Sequence, residues 1–131
     1  MPPIKIYKNN LIKYLNKGQW KERWRDGTMD GEGELIYPKD DKFNRVSYNG
    51  NFKDGERSGK GNLVWKNGEK YEGNYENGLR NVFGVYTYSK EEAGDYYEGH
   101  WKDDDMSGKG KLVYKNGTKQ EGTFENDSFK H

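Results

Sequence analysis

The sequence predicts an all-β protein built as an array of stacked β-hairpin units, and three observations carry that reading. A segment pattern recurs along the chain as Tyr48-Asn-Gly-Asn-Phe, Tyr71-Glu-Gly-Asn-Tyr, Tyr97-Glu-Gly-His-Trp and Gln120-Glu-Gly-Thr-Phe. Inside each copy, ring-bearing residues and glycines alternate with polar residues at the period of a strand. Between the alternating runs stand Asp, Asn and Gly, the residues that tolerate the positive φ of tight turns. Repetition at this period means supersecondary units that bury surface against their neighbours rather than one mixed core.

The unit starting at Tyr48 continues through Gly50, Phe52, Gly55, Gly59, Gly61, Leu63, Trp65 and Gly68. The next gives Tyr71, Gly73, Tyr75, Gly78, Val82, Gly84, Tyr86 and Tyr88, and reaches Gly94 after an insertion. The third gives Tyr97, Gly99, Trp101, Asp104, Gly108, Gly110, Leu112, Tyr114 and Gly117. A truncated copy follows at Gln120, Gly122, Phe124 and Asp127. Upstream, a degenerate unit fits Trp20, Glu22, Trp24, Gly27, Gly31, Gly33, Leu35 and Tyr37, with a longer loop around 38–47. Units thus start near 20, 48, 71, 97 and 120, and length differences gather in one loop, where insertions are tolerated. Residues 1–19 read as an N-terminal capping segment or incomplete repeat, 20–127 as the array, and 128–131 as a C-terminal tail. Ile4–Asn10 resembles Leu63–Gly68 and reads as the return strand of an incomplete first unit.

On the outgoing strand Tyr48, Gly50 and Phe52 share a face; on the return strand Gly59, Gly61, Leu63 and Trp65 do. Pairing rings with glycines has a packing reason, since a ring can lie over a residue that has no Cβ. Helix is a poor alternative because each of several glycines per unit would cost about 1 kcal/mol. The first turn of each unit carries Asp26-Gly27, Asp54-Gly55, Asn77-Gly78, Asp103-Asp104 or Asn126-Asp127. The second carries Asn67-Gly68 or Asn116-Gly117. For Leu63 and Tyr71 to share a face the second loop must hold an odd number of residues, which Lys66-Asn67-Gly68 satisfies as a type I turn closed by a glycine bulge.

Composition bounds the function. Of 131 residues 30% are hydrophobic and 34% charged, a balance close to disorder, yet 15% are aromatic and the 18 glycines are periodic. A net charge of +1 offers no clustered excess of Lys and Arg for nucleic acid. The absence of cysteine removes disulfides, thiolate metal sites and thiol nucleophiles. No apolar run reaches a signal peptide or a spanning helix, so the expectation is a soluble, cytoplasmic protein. His100 falls at an outward strand position with no acid or nucleophile beside it by spacing. Asp103-Asp-Asp105 lacks the ligand spacing of a calcium loop, and Gly59-Lys-Gly61 and Gly108-Lys-Gly110 lack the Ser or Thr and the helix of a phosphate loop. No catalytic, metal or cofactor residue is therefore expected.

Tyr97-Glu-Gly-His-Trp followed by Gly108-Lys-Gly-Lys-Leu112 closely resembles the MORN repeat (membrane occupation and recognition nexus), whose pattern runs Tyr-Glu-Gly-x-aromatic, then Gly, then Gly-x-Gly-x-Leu. The resemblance covers about residues 20 to 127 and departs from the pattern at Trp20, Glu22, Val82 and Gln120. It implies an elongated, twisted, single-layer antiparallel sheet of successive hairpins. It also implies a non-enzymatic scaffold in cytoskeletal, ciliary or junctional assemblies that binds partner peptides. The alternatives it brings are a peripheral phosphoinositide adaptor on membranes and a regulatory module beside an enzyme.

A partner peptide or helix is expected on the ring-bearing face, at Trp24, Tyr48, Phe52, Trp65, Tyr71, Tyr75, Tyr88, Tyr97, Trp101 and Tyr114. Trp and Tyr dominate binding hot spots; the competing reading is that these rings stack on each other and on glycines as the core. On the opposite face Ile36, Val64, Thr87 and Val113 read as a β-branched stripe. Lysines such as Lys109 and Lys111 interleave with Glu98, Glu121 and Glu125 on adjacent strands, and Lys111 is expected opposite Glu121. That interleaving favours cross-strand ion pairs and disfavours membrane lipid. The half unit Gln120–Asn126 presents a strand edge for homodimerisation or strand addition.

Overall fold

The structure, a computed structural model, describes residues 4–6, 11–16, 19–24 and 31–131, with side chains from residue 31 onward. Every regular element is a strand. Three short ones come first: β1 (Ile4–Ile6), β2 (Leu11–Asn16) and β3 (Gln19–Trp24). The array proper follows with β4 (Gly31–Ile36), β5 (Arg45–Lys53), β6 (Glu56–Trp65), β7 (Lys70–Glu76), β8 (Leu79–Thr87), β9 (Gly94–Lys102), β10 (Asp105–Tyr114), β11 (Lys119–Glu125) and β12 (Ser128–Phe129). These nine, β4 to β12, lie in chain order as consecutive antiparallel neighbours in one open sheet. The expected single-layer hairpin array is what forms.

The N-terminal end differs from expectation. β1 lies parallel to β4, with Lys5 opposite Glu34, and β2 and β3 continue outward from it. The strand from Trp20 to Trp24 therefore does not pair with β4 as the outgoing strand of a first unit. It closes on β2 across two residues, with Asn16 opposite Gln19, a local link that costs less loop entropy than the longer return to β4. β1, antiparallel to β2 across a four-residue link, takes the flank of β4 instead of the return-strand role expected for Ile4–Asn10. At the other end the expected tail is partly structured, since β12 pairs Phe129 with Phe124 and Ser128 with Glu125.

Both kinds of turn follow their chemistry. Lys53 faces Glu56 across Asp54 and Gly55, whose φ values of 51° and 80° make the two-residue turn with both centres left-handed. Asn77-Gly78, Asp103-Asp104 and Asn126-Asp127 repeat it, while Asp26-Gly27 lies outside the described residues. In the second turn Trp65 N–H donates to Glu69 O at 2.9 Å and Gly68 N–H to Trp65 O at 3.0 Å, which closes a three-residue loop and puts Leu63 opposite Tyr71.

The core is a row of glycines roofed by rings. Gly33, Gly50, Gly61, Gly73, Gly84, Gly99, Gly110 and Gly122 are cross-strand partners in one unbroken line through eight strands. A Cβ placed on Gly50 would fall 2.5 Å from Gly61 Cα, on Gly73 2.4 Å from Gly84 Cα and on Gly99 2.5 Å from Gly110 Cα. Neighbouring strands in a flat sheet stand about 4.8 Å apart, so the sheet is folded inward along this line toward the face those Cβ atoms would occupy. On that inner face Tyr48, Tyr71 and Tyr97 lie over Gly61, Gly84 and Gly110 and are wholly buried. Each ring packs edge to face on the second ring of its own unit and of the next. The chain of contacts runs Phe52–Tyr48 (5.1 Å), Tyr48–Tyr75 (5.5 Å), Tyr75–Tyr71 (5.2 Å), Tyr71–Trp101 (5.4 Å), Trp101–Tyr97 (5.3 Å) and Tyr97–Phe124 (5.0 Å). Such pairs contribute about 0.5–1.5 kcal/mol each beyond area burial.

Candidate functional site

Six of the ten residues expected to meet a partner belong to that roof. Tyr48, Phe52, Tyr71, Tyr75, Tyr97 and Trp101 are buried, and their polar atoms are largely spent inside the array. Tyr48, Tyr71 and Tyr97 donate their hydroxyls to the carbonyls three residues on, Asn51 O at 2.7 Å, Asn74 O at 2.9 Å and His100 O at 2.9 Å. Trp101 donates its indole N–H to Gly84 O at 3.1 Å. Desolvation pushes the phenols of Tyr48 and Tyr97 up to about 12, so they are neutral structural groups. Trp65, Tyr88 and Tyr114 are half-buried and reachable, and the side chain of Trp24 lies outside the described residues. Tyr37 and Tyr86 join the reachable set, both packed against the core, with Tyr86 tilted against Trp101 of the roof.

Of these, Trp65, Tyr86 and Tyr88 line an open groove along the inner face. One section, about 280 Å³, is bounded by Phe43, Leu63, Trp65 and Tyr75 together with Arg45, Arg57, Arg80 and Asp104. The next, about 320 Å³, shares Arg80 and adds Tyr86, Tyr88 and Trp101 with Glu69, Glu92, Met106 and Asp127. The groove is therefore rich in guanidinium at one end and in carboxylate at the other.

Sequence reasoning missed these guanidiniums. Counting by twos upstream from Gly59 reaches Arg57, and the corresponding place in later units holds Arg80, Met106 and Phe129. The signal was present in the alternation, but an isolated Arg reads as a solvated charge. In the fold Arg57 sits opposite Phe52 and Arg80 opposite Tyr75, beyond a bulge in which three residues face one. Both stack on rings: Arg80 lies 4.6 Å from the Trp101 centroid and 5.4 Å from that of Tyr86, and Arg57 lies 5.2 Å from Tyr75. Arg45 lies 4.1 Å over Tyr37 and is held by Asp41 at 2.8 Å. That hydrogen-bonded guanidinium draws the Asp41 carboxyl down to about 2.

The opposite face is as alternation requires. Lys111 does stand opposite Glu121, although Glu121 makes its ion pair with Lys119 at 3.4 Å. Ile36, Val64, Thr87 and Val113 fall in one cross-strand row, but Ser47, Lys70 and Tyr96 stand between them, so the β-branched stripe is interrupted at every second strand. Among the described residues no three His, Asp or Glu side chains gather to hold a metal ion, and no helix is long and apolar enough to cross a membrane.

A search of curated proteins returns no match. The family model for the MORN repeat matches residues 23–42, 48–70, 71–91 and 97–119 in succession. The last three fall on the hairpins β5–β6, β7–β8 and β9–β10, the first takes in β4, and together the four cover most of the chain. It therefore belongs to the MORN repeat family, whose arrays are in general modules of protein or membrane interaction and typically non-catalytic.

Proposed function

We propose that this chain is a non-enzymatic protein-interaction module that holds a segment of a partner protein, an extended peptide or a helix, in the groove on its ring-bearing face. The observation behind this reading is that Tyr37, Trp65, Tyr86, Tyr88 and Tyr114 are only half covered although the rings beneath them are fully packed. Rings that remain exposed above a completed core supply large contact area at low entropy cost, the property of a binding hot spot. Flanking guanidiniums stacked on those rings add directional donors. The setting we propose is cytoplasmic, beside cytoskeletal or ciliary assemblies, and self-association through the β11 edge at 119–122 belongs to the same proposal.

Affinity capture with the purified chain tests it. Trp65→Ala or Tyr88→Ala should lose the captured protein while far-ultraviolet circular dichroism stays unchanged. Trp101 and Tyr75 are unsuitable probes, because their burial makes truncation a folding defect. Capture that survives both groove variants, or flotation with phosphoinositide vesicles that survives them, refutes the groove as the site.

A further inference from the structure

We infer that the guanidinium-rich end of the groove is a subsite for a carboxylate of the partner segment, an Asp or Glu flanked by a bulky apolar residue, taken by Arg57. This deepens the reading of the groove as a peptide site and rests on it. The array supplies its own control, because Arg57 and Arg80 occupy the same place in successive units. Each is clasped by the following turn through a main-chain bond: Gly78 N–H donates to Arg57 O at 3.0 Å, and Asp104 N–H to Arg80 O at 3.0 Å. Each guanidinium donates back, Arg57 to Gly78 O at 2.8 Å and Arg80 to Asp104 O at 3.0 Å. There the two sites part. Asp104 also offers a carboxylate, which accepts from Arg80 Nε at 3.1 Å and Arg80 N–H at 2.9 Å. In the next unit Asp127 does the same for Met106 N–H at 2.7 Å. Gly78 has no side chain to offer, so among the described residues Arg57 is left with neutral acceptors, Gly78 O and, at 3.5 Å, Tyr37 Oη.

A second observation lies beside the first. Tyr75, whose ring Arg57 covers, has a buried hydroxyl with no hydrogen-bond partner, and it lines the same cavity. A buried unpaired polar group is costly unless something supplies its partner. Arg45 in this cavity is already neutralised by Asp41, so the uncommitted charge is that of Arg57 alone among its three guanidiniums. Apolar walls come from Leu63, Trp65 and Phe43, the last 58% exposed on its loop. A carboxylate with an apolar neighbour fits both requirements at once.

The test uses a randomised peptide library displayed on phage and selected on the full chain, with each selected peptide also synthesised with Gln for Glu and Asn for Asp. Acidic peptides should dominate, and the amide versions should bind at least ~10-fold more weakly. Gly78→Asp should cost acidic peptides a similar factor by presenting Arg57 with an internal carboxylate. The turn accepts that change, since Asp104 and Asp127 take φ of 75° and 68° at the same place and nothing lies within 4 Å of a Cβ at Gly78. Arg57→Met should remove the preference for acid, so that the acid and amide versions of a peptide bind alike. Equal binding of acid and amide versions, both lost in Trp65→Ala, overturns the subsite and leaves the groove standing. Selection of no peptide overturns both. Binding of anionic phospholipid vesicles that Gly78→Asp abolishes, without acidic peptides being selected, assigns Arg57 to phosphate and overturns the proposal as well.

Discussion

If rings resting on bare backbone hold this array together, adding one methyl group at Gly61 should break a coupling that can be measured. A Cβ there would stand 2.2 Å from Tyr48 Oη, 2.4 Å from Cε1 and 2.5 Å from Cζ. Tyr48 has no room to yield, being 0% exposed with its hydroxyl fixed to Asn51 O. Two responses are open. Expelling the ring would give up about 150–250 Å² of burial, or roughly 4–6 kcal/mol at ~25 cal/mol per Å². Spreading the strands to keep it would cost the ~1–3 kcal/mol typical of overpacking. The cheaper route wins, and a gain of ~0.4–1 kcal/mol from stiffening the unfolded chain offsets a part. Gly61→Ala is thus expected to destabilise by about 1–2 kcal/mol, read from urea unfolding followed by tryptophan fluorescence. In a Tyr48→Leu background, where the far edge of the ring is gone, the same change should cost almost nothing, a coupling of about 1–2 kcal/mol. Gly68→Ala is the contrast: nothing lies within 4 Å, but its φ of 90° should cost ~1 kcal/mol whatever residue 48 is. Additive effects of Gly61→Ala and Tyr48→Leu would refute the ring-over-glycine account of the core.

Further outcomes follow from the same geometry. Val82 stands at φ 66° and 57% exposed where the neighbouring units have Gly59 and Gly108, so Val82→Gly should stabilise by about 1 kcal/mol in urea unfolding, relief of left-handed strain exceeding the entropy lost. Asp41 has its pKa lowered from 3.8 to about 2, so its stabilisation is full above the unfolded value and is lost as pH falls from near 4 toward 2. Asp41→Asn should accordingly flatten the acid limb of a stability–pH curve and cost about 1 kcal/mol near neutrality. Tyr48 and Tyr97 are raised to about 12, and the sign reverses: their contribution is full below pH 10 and disappears as pH climbs toward 12. Tyrosinate absorbance should therefore appear together with alkaline unfolding rather than before it. Lys115 donates from Nζ to Ser89 O at 2.8 Å and Glu92 O at 2.9 Å, so Lys115→Met should speed amide exchange in the 89–94 loop while leaving the strands protected.

How far the residues announced this molecule depends on whether the cause was local. Turn types were legible because Asp-Gly, Asn-Gly and Asp-Asp each satisfy a φ requirement by themselves. Register was legible because a three-residue loop at 66–68 fixes parity, and with it the pairing of Lys111 with Glu121. The glycine row was half legible: each glycine could be assigned to the ring side, whereas the inward fold needs eight strands aligned at once. The neighbours of β1 were not legible, because parallel pairing with β4 is decided by competition for an edge and leaves no motif. Burial was the harder question at the site. Tyr71 and Tyr88 have the same ring, and only the packing of adjacent units makes one a sealed core residue and the other a wall of the groove.

That division has a consequence for recognition. In every complete unit two ring positions, those of Tyr48 and Phe52, are committed to contacts with the preceding and following units, so they can change only at the expense of the array. Besides Tyr86, the positions of Arg57 and Trp65 face the groove, and they vary: Arg57, Arg80 and the buried Met106 at the first, Trp65, Tyr88 and Tyr114 at the second. The first series passes from cation to apolar and the second keeps a ring throughout, so charge preference changes along the groove while stacking does not. If the groove holds a partner as proposed, its specificity is written in one residue per hairpin, modulated by the turn residue that does or does not neutralise it: glycine at 78, aspartate at 104 and 127. An array with Asp in all three turns would keep the same shape, the same rings and the same groove, and would lose its only uncommitted guanidinium among Arg45, Arg57 and Arg80. Shape here is set by glycine and ring; in the proposed recognition, selectivity is set by which side chain answers the arginine.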